Sequence, residues 1–134
     1  MLAPDLEDLV ISYLTASGLA PAAQIGFTMP PRPTYPFYLV HELGGGDDMV
    51  TEYPVVSIHC FAATRTVAAE NARTLHKKMK DWTPLLAVQV SDGSYVSIDH
   101  LEVVERPHWE DYADDAIQRY CGRYHIDLRI NQTT

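Results

Sequence analysis

The apolar positions of this chain fall into two helical stripes and several alternating runs. Ala68, Ala72, Leu75, Met79 and Trp82 recur at spacings of four and three, the period of one helix face. The stripe widens from Ala to Trp, so its small end lets a helix lie close on a sheet and its large end fills the space where a twisted sheet diverges. Thr64 or Thr66 is placed to cap this helix, Glu70 sits toward its positive end, and Lys77, Lys78 and Lys80 crowd the negative end. Pro84 then blocks continuation. Leu6, Leu9, Val10, Tyr13 and Leu14 form a second stripe, which predicts a helix from Asp5 to Ser17, with Asp5, Glu7 and Asp8 at its N-terminal end and Gly18 as the stop.

The other runs read as strands. Phe37 to Leu43 is apolar on both alternating faces, as in a strand covered on two sides. From Val55 to Ala62 one face carries Val56, Ile58, Cys60 and Ala62, and this face is expected to meet the helix; the other carries Val55, Ser57, His59 and Phe61. Leu86 to Val90 and Tyr95 to Glu105 flank Ser91-Asp92-Gly93-Ser94, a strong hairpin signal. The segment RPHWEDYADDAIQRY reads as an irregular excursion, with Trp109 folding back onto the core. The last run, Tyr120 to Ile130, places Tyr120, Tyr124, Ile126, Leu128 and Ile130 on one face and an exposed row of Arg123, His125, Asp127 and Arg129 on the other. A short edge strand is expected between Gln24 and Thr28, and Met29 to Pro36, with four prolines, serves as a stiff connector. The fold class predicted is α+β: a single domain over 1–134, a two-layer sandwich in which a mostly antiparallel mixed sheet of about five strands carries two helices.

Composition narrows the function. With 134 residues, 46% of them hydrophobic, the chain can bury a real core without metal or disulfide help. No run approaches the length of a membrane span, and the acidic N-terminus MLAPDLEDLV is unlike a signal peptide, so a cytoplasmic protein with no membrane association is expected. Cys60 and Cys121 sit inside strand-like runs, as buried reduced thiols do. A net charge of −8 argues against a protein that grips nucleic acid through its phosphates.

Candidate chemistry is sparse. The six histidines, His41, His59, His76, His100, His108 and His125, are scattered, without the spacing of a metal motif. His59 and Cys60 are neighbours on a strand and point to opposite faces, so they cannot pair as base and nucleophile. No catalytic residue, metal or cofactor is expected. Gly44-Gly45-Gly46-Asp47-Asp48 lacks the Lys-Ser/Thr of a phosphate loop, and its aspartates would repel phosphate. It reads either as a solvated hairpin tip or as an acidic arm that orders on a partner. Glu110, Asp111, Asp114 and Asp115 divide in the same way between solvated face and partner surface.

Taken together, YPFYLV, GGGDD, VTEYPVVSIHCFAATRTVA entering an amphipathic helix, a hairpin, a P-x-W segment and the terminal RYHIDLRI resemble the tail terminator proteins of long-tailed actinobacterial phages, often called minor tail or head-tail connector proteins. The likeness covers nearly the whole chain and rests on a pattern of segments, with no catalytic signature. It implies a virion protein, assembled in the host cytoplasm, whose hexameric ring caps the head-proximal end of the tail tube. Its partners would be copies of itself, the major tail tube protein and a head-tail connector or stopper protein, with the genome passing through the lumen unbound. An acidic lumen suits that duty, since it repels phosphate. The resemblance makes Asp47, Asp48 and Glu52 the first lumen candidates and Glu110, Asp111, Asp114 and Asp115 the second. The glycine-rich loop Gly44 to Asp48 and the row Arg123, His125 and Arg129 are the candidate subunit interfaces. Two other readings stay open: a head-side connector or stopper, and a small α+β enzyme or ligand-binding domain with a cleft of converging polar groups.

Overall fold

The computed structural model describes residues 5–43, 54–114 and 116–128. Both helical stripes form helices. Helix α1 (Leu6–Ala16) starts where the Asp5 carboxylate accepts hydrogen bonds from the Glu7 and Asp8 amides and ends at Gly18, whose φ of 83° few other residues tolerate. Helix α2 (Arg65–Lys80) is capped by Thr64, whose hydroxyl accepts from the Val67 amide.

The main sheet has five strands in the order β1-β2-β3-β7-β6. These are β1 (Ile25–Gly26), β2 (Phe37–Leu43), β3 (Val55–Ala62), β6 (Ile98–Glu110) and β7 (Gln118–Leu128), with the small hairpin β4 (Val88–Gln89) and β5 (Tyr95–Val96) beside them. Strand β1 joins β2 in parallel and every other pairing is antiparallel. This is the expected α+β sandwich with a mostly antiparallel mixed sheet and two helices, and no described helix is long and apolar enough to cross a membrane.

Both helices cover the same face. The core joins Leu9, Tyr13 and Leu14 of α1 to Ala72, Leu75 and Met79 of α2, over Tyr38, Val40, Val56, Ile58, Tyr124 and Ile126 of the sheet. The β3 face expected to meet the helix does so, and the Cys60 thiol lies 3.9 Å from the Ala68 carbonyl oxygen. Tyr13 and Trp82 stack at 4.1 Å between ring centroids, and the Tyr13 hydroxyl donates to the Lys78 carbonyl, which ties α1 to the end of α2. The Asp8 carboxylate accepts from the Ser91 amide and hydroxyl, which fastens the β4-β5 turn to α1.

Four expectations change. Strand β2 is covered on both faces only through Val40; His41, Glu42 and Leu43 are exposed. Tyr95 to Glu105 is not one hairpin arm: the hairpin closes over two residues per strand, and Ile98 begins a separate strand of the main sheet. A register shift between Ile98 and His100 reverses the alternation, so Ile98 is buried at an even position while Leu101 and Val103 pack on the core from odd ones. Arg106 to Glu110 is strand, not excursion; β6 is an edge strand, where bulges absorb Pro107. Trp109 lies outside the core, 36% exposed, with its indole N–H donating to Gln118 and the Arg65 guanidinium 4.8 Å above its ring.

One glycine occupies a tight place in the packing. A Cβ on Gly122 of β7 would stand 3.0 Å from Cγ of Pro107 and 3.2 Å from the Tyr124 hydroxyl.

Trp82 is 3% exposed, and its indole N–H has no hydrogen-bond partner among the described residues. Trp82→Ala should lower the unfolding free energy by about 3 to 5 kcal/mol, and Trp82→Phe by clearly less, because it keeps a ring against Tyr13 and removes an unpaired buried donor. Urea denaturation of the two variants checks this order.

Candidate functional site

The face of the sheet turned away from the helices carries the chemistry. Strand register sets its membership: Ser57 faces Arg123, His59 faces Cys121, and Phe61 faces Arg119 across β3 and β7, while Glu105, His108 and Glu110 of β6 oppose Arg123, Cys121 and Arg119. At one end this face is roofed. Tyr112, in the segment after β6, packs edge-on against Phe61 at 5.0 Å, and the Arg119 guanidinium lies 5.4 Å from the Tyr112 ring while donating to the Asp111 carbonyl.

Glu110 is the hub of the charges. Its carboxylate lies 3.1 Å from His108 Nε2, 3.5 Å from Arg123 and 3.6 Å from Arg119, with its side chain 24% exposed. Arg123 also pairs closely with Glu105. Arg123 and His125 are therefore not an exposed row: the arginine is half-buried in ion pairs, and His125 is 9% exposed beside Asp127 and Glu102. Alternation along β7 predicts their common face, but it carries no information about β6, whose acids neutralise that face.

Beside this hub lie His59 and Cys121. His59 Nε2 is 3.3 Å from the Ser57 hydroxyl and 3.9 Å from Cys121 Sγ, and its Nδ1 is shielded from solvent without a partner among the described residues. Burial, with Arg119 and His41 nearby, pushes the His59 imidazole down to about 4, and burial pushes the Cys121 thiol up to about 11. An activated cysteine nucleophile needs the opposite shifts, toward thiolate and imidazolium, and burial drives both groups the other way. Cys60, which burial pushes up to about 12, faces the helices on the other side of the sheet. The His59–Cys121 pairing is invisible in the sequence because 62 residues separate its members; only the register of two strands brings them together.

A second feature lies on the helix side. An open groove of about 790 Å³ runs between α2 and β6, lined by Arg73, His76, Lys77 and Lys80 from the helix and Arg106 and Pro107 from the strand. In a chain with ten Lys and Arg residues and a net charge of −8, four of those cations line one groove. The remaining expected site residues divide. Gly44, Gly45, Gly46, Asp47, Asp48, Glu52, Asp115 and Arg129 lie outside the described residues. Asp111 and Asp114 are exposed in the segment after β6, where Asp114 accepts from the Ala116 amide.

His76 Nδ1 is 2.8 Å from the Tyr124 hydroxyl, and burial, with Lys80 and Arg106 nearby, lowers its basicity. Its folded pKa lies below the ordinary 6.5, so on acidification the unfolded chain takes up this proton first and stability falls as the pH drops through 6.5. His76→Gln should flatten that part of the stability profile by at most about one proton, as read by denaturation midpoints between about pH 7 and about pH 5.

No protein-family model matches the chain, and no curated protein matches it in sequence. In shape it is similar to a chain of a solved structure, "Virion of native gene transfer agent (GTA) particle", with a TM-score of 0.60 over 92% of this chain and 93% of that one, at 16% sequence identity. The likeness at that identity is one of fold.

Proposed function

We propose that this chain is a structural protein of a phage-type virion, and more specifically a tail terminator that assembles as a ring on the head-proximal end of the tail tube. The observation that carries this reading is the end-to-end correspondence of its fold with a chain of a gene transfer agent virion, 92% of one against 93% of the other. The segment pattern that resembles tail terminators points the same way. The histidine and cysteine shifts on the outer face run against nucleophilic chemistry, which supports a structural role.

Charge supports association in a ring. A head-to-tail contact joins two different surfaces, and this chain offers a pair of opposite sign. One is the basic α2–β6 groove. The other is acidic: Asp111 and Asp114 are exposed, and the sequence over 44–52 adds Asp47, Asp48 and Glu52. In this reading the acids not used between subunits face the lumen, where they let DNA slide. The partners are further copies in a hexamer, the tail tube protein and a connector or stopper. A head-side connector is the second reading, because the similar structure is that of a virion particle and the likeness in fold favours no one position within it.

Negative-stain images of the concentrated protein, alone and mixed with tail tubes, test the proposal: rings with a hole of DNA width are expected. Deleting Gly44 to Asp48, or reversing Lys77 and Lys80 to Glu, should abolish the rings while leaving a folded far-ultraviolet spectrum, the reversal lowering the melting temperature only slightly because it also removes two cations from the C-terminal end of α2. A protein that stays monomeric at every concentration and never caps a tube overturns it, and addition to DNA-filled heads in place of tubes selects the connector.

A further inference from the structure

We propose that His59, Glu110 and Cys121 form a binding site for a thiophilic divalent cation, of which zinc is the best match. One nitrogen of His59, one carboxylate oxygen of Glu110 and the sulfur of Cys121 all lie within 4.8 Å of one another. They come from three strands, β3, β6 and β7, that pair side by side. Nitrogen, oxygen and sulfur donors in one small cluster are the set that zinc takes, and a calcium or magnesium site would be oxygen alone.

The second observation is His59 itself. Its Nδ1 is buried with no partner among the described residues, and its Nε2 has only the Ser57 hydroxyl at 3.3 Å and the thiol at 3.9 Å. Nε2 is the ring nitrogen that faces the thiol, so a cation bound there replaces two long contacts with one bond and leaves the ring proton on Nδ1. Neutral imidazole is the form that binds metal. His108, whose Nε2 stands 3.1 Å from Glu110, belongs to a separate donor group with Glu105 and Glu110, and it orients the Glu110 carboxylate from outside the cluster.

Arg119 and Arg123 oppose the cation. Both lie against Glu110, at 3.6 and 3.5 Å, so the metal must share that carboxylate with two guanidinium groups. Binding therefore displaces at least one of these ion pairs, and it drives the Cys121 S–H proton to solvent as the sulfur becomes a thiolate. Affinity rises with pH for that reason. The structural effect is a staple across the bulged outer end of β6, where register shifts weaken the ladder.

The test uses the full chain stripped with a chelator, then titrated with zinc against a chromophoric competitor and with cobalt as a spectroscopic stand-in. One zinc per chain is expected, with a raised melting temperature, and cobalt should give tetrahedral bands with a thiolate charge-transfer band. Cys121→Ser and His59→Gln should each weaken zinc by more than about tenfold and remove the thiolate band. Arg119→Gln should tighten it. His100→Gln, which removes an exposed histidine outside the cluster, should change nothing. If Cys121→Ser does not fold, Glu110→Gln replaces it, and the wild-type cobalt spectrum stands independently. Absence of the thiolate band, or zinc binding unaltered in the His59 and Cys121 variants, overturns the proposal. None of these readouts depends on ring assembly.

Discussion

The close seating of α2 on the middle of the sheet is the constraint from which the rest follows. Ala68 and Ala72 present only methyl groups, so the helix backbone comes near enough for the Cys60 thiol to reach the Ala68 carbonyl. Further along, Leu75, Met79 and Trp82 hold the helix away as the sheet twists. Helix α1 then has one place to go, against the large end, where Tyr13 stacks on Trp82. With both helices on one face, the other face is left to charged residues, and the margin between α2 and β6 remains an open groove.

Two features of this molecule are compensations for those choices. The outer face brings Arg119 and Arg123 onto a sheet that also buries Cys121 and Phe61, and cations there are tolerable only because Glu105 and Glu110 come from the adjacent strand to meet them. The groove, by contrast, gathers cations without such partners in its lining, apart from Asp81. One cluster is neutralised within the chain, and the other keeps its positive charge at an open groove.

Periodicity makes the helices legible, together with their caps, the two central strands and the face of β3 that meets α2, because each is decided by neighbours within four residues. It fails where two strands have to be aligned. The bulge after Ile98 reverses the alternation of β6, so Ile98 and Leu101 reach the same core from opposite phases and the run mimics a hairpin arm that ends early. Pro107 and Trp109 have the character of strand breakers, and they are accommodated because nothing described pairs with the outer side of that strand. Alternation puts Arg123 and His125 on one face, yet the partners that half-bury them, Glu105, Glu110 and Glu102, stay hidden, since register is a long-range property. The same gap hides His59 and Cys121 from each other.

The irregularity of β6 has an outcome of its own. A thirteen-residue strand at the rim of a sheet is a template on which a foreign strand can zip, yet this one interrupts its own repeat at three places and carries a proline that cannot donate. Uncontrolled stacking of sheets into fibres is thereby discouraged.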